Sequence, residues 1–191
     1  MRSLFAVAMA AVLLTGCGSV PIQRTYVLGD APPSTVGIRS ETGLVVIELK
    51  TVSVPSYLDS TDILRRTGPN EVTPSPTGRW GERLSHGITD ALAASLSNRL
   101  PSLVITTTPV SEPARRIIVD IEAVDIGADG RCLVAARWRV SSGAARQGAG
   151  ESRRGTFGET AASIDDQAVA SALTRAIDQL AARIAATITN D

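Results

Sequence analysis

The feature that most constrains the fold is a pair of alternating segments joined by Asp129-Gly130. Over Arg116–Ile126, Ile117, Val119, Ile121 and Ala123 fall on one face, with Asp120 and Glu122 on the other. Over Arg131–Ser141, Cys132, Val134, Ala136, Trp138 and Val140 share a face, with Arg131, Arg137 and Arg139 opposite. A period of two places successive side chains on opposite sides of a strand. An Asp-Gly between two such runs is a strong hairpin signal. The pattern therefore predicts an antiparallel hairpin with one buried face. The arginines are placed to pair with the acidic face of the partner strand, each pair contributing about 0.2–1 kcal/mol.

Two amphipathic helices supply the cover such a sheet needs. Over Trp80–Leu100, Leu84, Ile88, Leu92, Leu96 and Leu100 recur every four residues, with Ala91 and Ser95 alongside, and Pro101 ends the run. A longer helix follows the capping-box sequence Ser163-x-x-Asp166 and runs to about Ile188. Its stripe is Val169, Leu173, Ile177, Leu180, Ile184 and Ile188. Further strands are expected over Thr25–Leu28, Leu44–Val54, Asp62–Arg66, Leu103–Thr108 and Glu151–Thr160. Gly29–Gly43, Thr67–Thr77 and Ser142–Gly150, rich in Gly and Pro or small residues, read as loops. The expected fold is a single α+β domain over residues 25–191, a mostly antiparallel sheet with two amphipathic helices packed on it.

The amino terminus reads as a secretion signal over residues 1–16. Arg2 gives the positive start, Leu4 to Leu14 the apolar stretch, and small residues precede a cysteine. The apolar run is shorter than the roughly 20 residues that span a bilayer. Leu14-Thr15-Gly16-Cys17 resembles the lipobox of bacterial lipoproteins. That resemblance implies cleavage before Cys17, acyl chains on the Cys17 sulfur and amine, and no other cofactor. Several chains make such an anchor stable. Gly18 in place of an inner-membrane-retaining aspartate implies the outer membrane, with the domain on the periplasmic face. Residues 17–24 then form an acylated start and short tether.

Composition narrows the chemistry. Basic and acidic residues number 19 each, so there is no basic footprint for nucleic acid. Lys50 is the sole lysine and lacks the glycines of a phosphate-binding loop. His86 is the sole histidine, and an acylated Cys17 leaves only Cys132, so no metal site is expected. Cys132 lies in an alternating apolar run and reads as a small buried hydrophobe. His86 reads as a helix-surface residue, and a hydrolase built on His86 and a serine is the weakest of the functional readings. Asp165-Asp166 reads as negative charge at a helix N-terminus. The doublets Arg65-Arg66, Arg115-Arg116 and Arg153-Arg154 read as solvated strand ends. Pro55, Tyr57, Leu58 and Trp80 are candidates for partner contact, with packing the competing reading for Tyr57, Leu58 and Trp80.

In order along the chain stand Tyr26-Val27-Leu28, Val52-Ser53-Val54-Pro55-Ser56-Tyr57-Leu58, Arg79-Trp80 with Leu84, Leu96–Leu100 before Pro101, the Asp129-Gly130 hairpin with Trp138, and the closing helix. Together they resemble the ABC-type transport auxiliary lipoproteins of the PqiC type. The resemblance implies a non-enzymatic accessory lipoprotein. It would work with an MCE-domain protein and an ABC permease and ATPase in moving lipids across the periplasm, supporting envelope integrity. It would dock the far end of an MCE tunnel, alone or as a homo-oligomeric ring. The alternative is an assembly lipoprotein of another outer-membrane machine, such as lipopolysaccharide export.

Overall fold

The computed structural model describes residues 22–29, 45–144 and 150–190. The lipobox residues Leu14, Thr15, Gly16 and Cys17, with the signal segment and most of the tether, lie outside them. So do most of the expected loop 29–43 and part of that over 142–150.

The strands are β1 (Arg24–Tyr26), β2 (Val45–Leu49), β3 (Asp62–Gly68), β4 (Glu71–Trp80), β5 (Leu103–Thr106), β6 (Arg115–Ile126), β7 (Arg131–Ser142) and β8 (Ser152–Thr160). The helices are α1 (Leu84–Arg99), between β4 and β5, and α2 (Asp166–Asn190), after β8. Five strands form one sheet in the order β5-β2-β6-β7-β8, and three form a smaller one, β1-β4-β3.

The α+β expectation holds, but both sheets are mixed. β2 runs parallel to both β5 and β6, and β1 parallel to β4. The remaining pairings, β3–β4, β6–β7 and β7–β8, are antiparallel. The parallel pairing of β2 with β5 follows from the long crossover through β3, β4 and α1, which returns β5 beside β2 in the same direction.

The predicted hairpin is β6–β7. Its connection is the loop 128–130, closed by Gly127 and Arg131. Gly130 N–H donates to the Gly127 carbonyl at 3.0 Å, and Gly127 N–H to Arg131 at 2.8 Å. Gly130, at φ 80°, takes the left-handed position that closes such a loop. A bulge between Ile121 and Ala123 breaks the expected alternation. Beyond it Val124 and Ile126 take over the buried face and Ala123 leaves it, as an extra residue in one strand requires. On β7, Cys132, Val134, Ala136, Trp138 and Val140 all face the core.

Two further expectations are corrected. The Thr67–Thr77 loop is largely strand, since β3 and β4 pair around Pro69-Asn70 from Gly68↔Glu71 onward. Pro74 and Pro76 are tolerated because β1 covers only Gly78–Trp80, which leaves the other edge of β4 open where the prolines stand. Trp80 does not open the first helix; it is the last residue of β4, and α1 begins at Leu84.

Both apolar stripes are buried. Ile88, Leu92 and Leu96 of α1 and Leu173, Ile177, Leu180 and Ile184 of α2 meet Ile47, Leu49 and Ile117 in one core. The opposite face of the large sheet is a charge ladder. Arg137 and Arg154 share Glu122, with Arg154 at 2.9 Å, and Arg139 lies 3.9 Å from Asp120.

Candidate functional site

The segment after β2 straps the sheet to α1 and displays an aromatic. Val52 N–H donates to the Thr89 hydroxyl of α1 at 2.9 Å, and Ser53 Oγ donates to Asp120 Oδ1 at 2.6 Å. A turn follows, closed by Leu58 N–H donating to the Pro55 carbonyl at 2.9 Å. Leu58 is 4% exposed and anchors the turn in the core, whereas the neighbouring Tyr57 is 55% exposed. Asp59 then caps α1 from outside the helix by accepting from Ser85 N–H at 3.2 Å. Hydrogen bonding to Ser85, with Arg83 nearby, holds the Asp59 carboxyl below its ordinary value against the opposing effect of burial.

The four sequence candidates for partner contact are thus separated by burial. Trp80 and Leu58 lie in the core, Pro55 is half-buried, and Tyr57 is the exposed member. A rigid turn pinned at both sides presents an aromatic ring with little ordering left to lose on contact, which is what a docking residue needs.

A second feature was not visible in sequence. Asp166 is 3% exposed. Its Oδ1 accepts from Arg65 Nη2 at 2.7 Å; its Oδ2 accepts from Ser75 Oγ at 2.8 Å and Thr77 Oγ1 at 2.7 Å. Arg65 Nη1 also donates to the Ile164 carbonyl. The junction ties the three-stranded sheet to the start of α2. Burial raises the Asp166 carboxyl, but the hydrogen bonds from Thr77, Arg65 and Ser75 outweigh it and hold the group below its ordinary value. The capping role falls to Asp165, whose Oδ1 accepts from Ala168 N–H at 2.9 Å while Ser163 donates to its carboxylate.

Glu48 is a second buried acid, 1% exposed on β2. Arg116 Nε donates to its Oε2 at 3.0 Å. Lys50 Nζ sits 2.6 Å from Oε1 as an ion pair, off the directions of a well-formed hydrogen bond. Burial again opposes and the two cations prevail, so the carboxyl is held below its ordinary value.

The remaining sequence candidates are placed as follows. His86 is exposed on α1, and Cys132 is fully buried. Burial pushes the Cys132 thiol up to about 11. Among the described residues there is no group of three or more His, Cys, Asp or Glu side chains able to hold a metal ion. No helix among them is long and apolar enough to cross a membrane. A groove of about 650 Å³ runs between α1 and α2 under β1, with Ala91, Ser95, Ala170 and Thr174 along it. Gly29 N–H donates to Thr174 Oγ1 at 3.2 Å near its wall.

The family model described as "ABC-type transport auxiliary lipoprotein component" matches residues 26–185. The chain is 24% identical over 135 residues to the intermembrane transport lipoprotein PqiC of Escherichia coli K12, covering 71% of this chain and 72% of that protein; the Shigella flexneri PqiC matches equally. The fold is shared with a crystal structure of an uncharacterized protein (TM-score 0.71, 19% identity, 87% of this chain and 99% of that one). It is also shared with a crystal structure of a Xanthomonas campestris protein (TM-score 0.62, 16% identity, 84% and 92%).

Proposed function

Because the chain belongs to the ABC-type transport auxiliary lipoprotein family, we propose that it is a non-enzymatic accessory subunit of an envelope lipid transport system. In this reading Cys17 carries the acyl chains that anchor the domain to the periplasmic face of the outer membrane. An MCE-domain protein, coupled to an ABC permease and ATPase, is the partner. The lipoprotein receives the far end of the MCE conduit, alone or as a homo-oligomer, and so supports envelope integrity.

The observation that supports this most is the extent of the match. Residues 26–185 take in nearly every element, from the end of β1 into the last turns of α2. The rigid turn carrying Tyr57 is the proposed contact with the partner. Its aromatic is exposed while the adjacent Leu58 is buried and anchors the turn in the core.

The test is a membrane pull-down of the tagged full-length lipoprotein, with Cys17→Ser as the unanchored control and co-purifying proteins identified by mass. Recovery of an MCE-domain protein with its permease is the expected result. Recovery of an outer-membrane barrel instead would assign the chain to an assembly machine such as lipopolysaccharide export. Recovery of neither would overturn both assignments.

A further inference from the structure

We propose that the cleft between β8 and the C-terminal half of α2 binds an anionic amphiphile, a phosphate or carboxylate on a hydrocarbon chain. The anion sits between Arg183 and Arg153, and the chain lies against Trp138 and Phe157. The inference rests on this cleft alone and is independent of the transport reading.

β8 and α2 run antiparallel along a seam. A helical turn and a pair of strand residues advance by similar distances, so side chains four apart on α2 face side chains two apart on β8. At one end the seam is closed by charge: Glu159 accepts from Arg175 Nε at 3.1 Å and Gln179 Nε2 at 2.5 Å. At the other, Arg153 Nη1 donates to Thr187 Oγ1 at 3.3 Å. Between them the strand carries Phe157 and Gly155 where the pattern would place a partner for Arg183. The seam therefore opens into a cleft of about 480 Å³, within the range of small-molecule sites.

The floor is apolar and the rim cationic. Trp138 and Phe157 lie with ring centroids 6.1 Å apart and tilted. Gly155 leaves the cleft open beside them: a Cβ there would stand 2.9 Å from Phe157 Cζ. Arg183 is exposed on the rim; its carbonyl accepts from Thr187 Oγ1 at 3.0 Å, and its guanidinium has no hydrogen-bond or ion-pair partner among the described residues. Arg153 shares its other nitrogen with Glu151 at 3.2 Å, a carboxylate whose side chain is 77% exposed. An incoming anion displaces that solvated partner at little cost. Thr187 is buried and fixes the floor, accepting from Trp138 Nε1 at 3.4 Å. Two guanidinium groups beside an aromatic floor suit an oxyanion with an apolar body. A bare anion would leave the floor unused.

The chain holds two tryptophans, and one of them is Trp138 in the cleft floor, so bromine quenching reads occupancy directly. Full-length lipoprotein in phosphatidylcholine nanodiscs is titrated with brominated lysophosphatidylglycerol, brominated stearate and brominated lysophosphatidylcholine. Saturable quenching by either anionic probe is expected, weakened about tenfold by Arg183→Gln, an exposed position where the fold is not at risk. Equal quenching by the zwitterionic probe, no quenching by either anion, or indifference to Arg183→Gln would overturn the proposal. Inorganic phosphate is titrated against phenylglyoxal labelling of Arg183. Protection by phosphate without lipid quenching would reduce the cleft to an anion site and overturn the amphiphile.

Discussion

Arg65 and Asp166 meet at 2.7 Å although 101 residues separate them. With the bonds from Ser75 and Thr77 to the same carboxylate, this contact fastens the smaller sheet to the first turn of the longer helix. Asp166→Ala leaves a largely enclosed guanidinium and two hydroxyls without their acceptor. Loss of about 3 kcal/mol is expected, measured by urea denaturation. Replacing both Arg65 and Asp166 with apolar residues should recover part of it. A double variant as unstable as the sum of the singles would show that the two residues do not act together.

Acid should unfold the protein through the same carboxylates. Asp166 and Glu48 titrate below their ordinary values of 3.8 and 4.5. A depressed carboxyl contributes stability that is fully present above its unfolded value and lost as pH falls through its folded one. The urea midpoint should therefore hold steady down to about pH 5 and decline steeply below about pH 4. Asp166→Asn should lower the neutral plateau and flatten the acid decline. A decline as steep as in the parent would remove Asp166 from the account.

Gly78→Ala tests how closely the junction is packed. A Cβ at Gly78 would stand 2.5 Å from Asp166 Oδ2 and 2.8 Å from Tyr26 Cε2. A destabilisation of about 1–3 kcal/mol is expected from such overpacking, read by thermal melting. Combined with Asp166→Ala the substitution should cost less than it does alone, since one of the two obstructing groups is then gone.

Cys132 should behave as a timer of unfolding. It is fully buried with its thiol pushed up to about 11, and thiolate is the reactive form. Iodoacetamide at pH 8 should leave the folded protein unlabelled and add one adduct at this position in urea, followed by mass. Rapid labelling of the native state would contradict the buried placement.

Tyr57 and Leu58 should part company despite being adjacent. Leu58→Ala removes a core anchor and should cost about 2–5 kcal/mol. Tyr57→Ala should change stability by less than about 0.5 kcal/mol while lowering recovery of the partner protein. Unchanged recovery would move the contact surface elsewhere.

The parts of this fold that were legible in sequence are those governed by local period. The β6–β7 hairpin and the stripes of α1 and α2 declare themselves because burial repeats at two, or at three and four. The β3–β4 hairpin was hidden behind Pro74 and Pro76, which signal a loop unless one knows that the edge of β4 away from β3 is unpaired along that stretch. Pro69-Asn70 between β-branched runs was the available hint. The parallel pairing of β2 with β5 and β6 was invisible, since direction is settled by crossovers rather than by pattern. The burial of Asp166 and its bonds to the smaller sheet were the largest omission. The position of Asp166 beside the Asp165 cap explains a negative charge without reference to Arg65, Ser75 or Thr77, whose proximity only folding creates. Tyr57 and Leu58 were both singled out, but which one faces water depends on the register of a four-residue turn.

The chain's single lysine side chain, already engaged with Glu48 at 2.6 Å, has a practical consequence. Reagents that map protein neighbourhoods by bridging primary amines have one side-chain nitrogen to work with across the whole chain, and that one is partly shielded by its own acid. Neighbours that touch this protein beyond the reach of Lys50 will go unrecorded in such surveys. Carboxylate-directed or photoactivated chemistry, placed near Tyr57 and Arg183, is the means of seeing them.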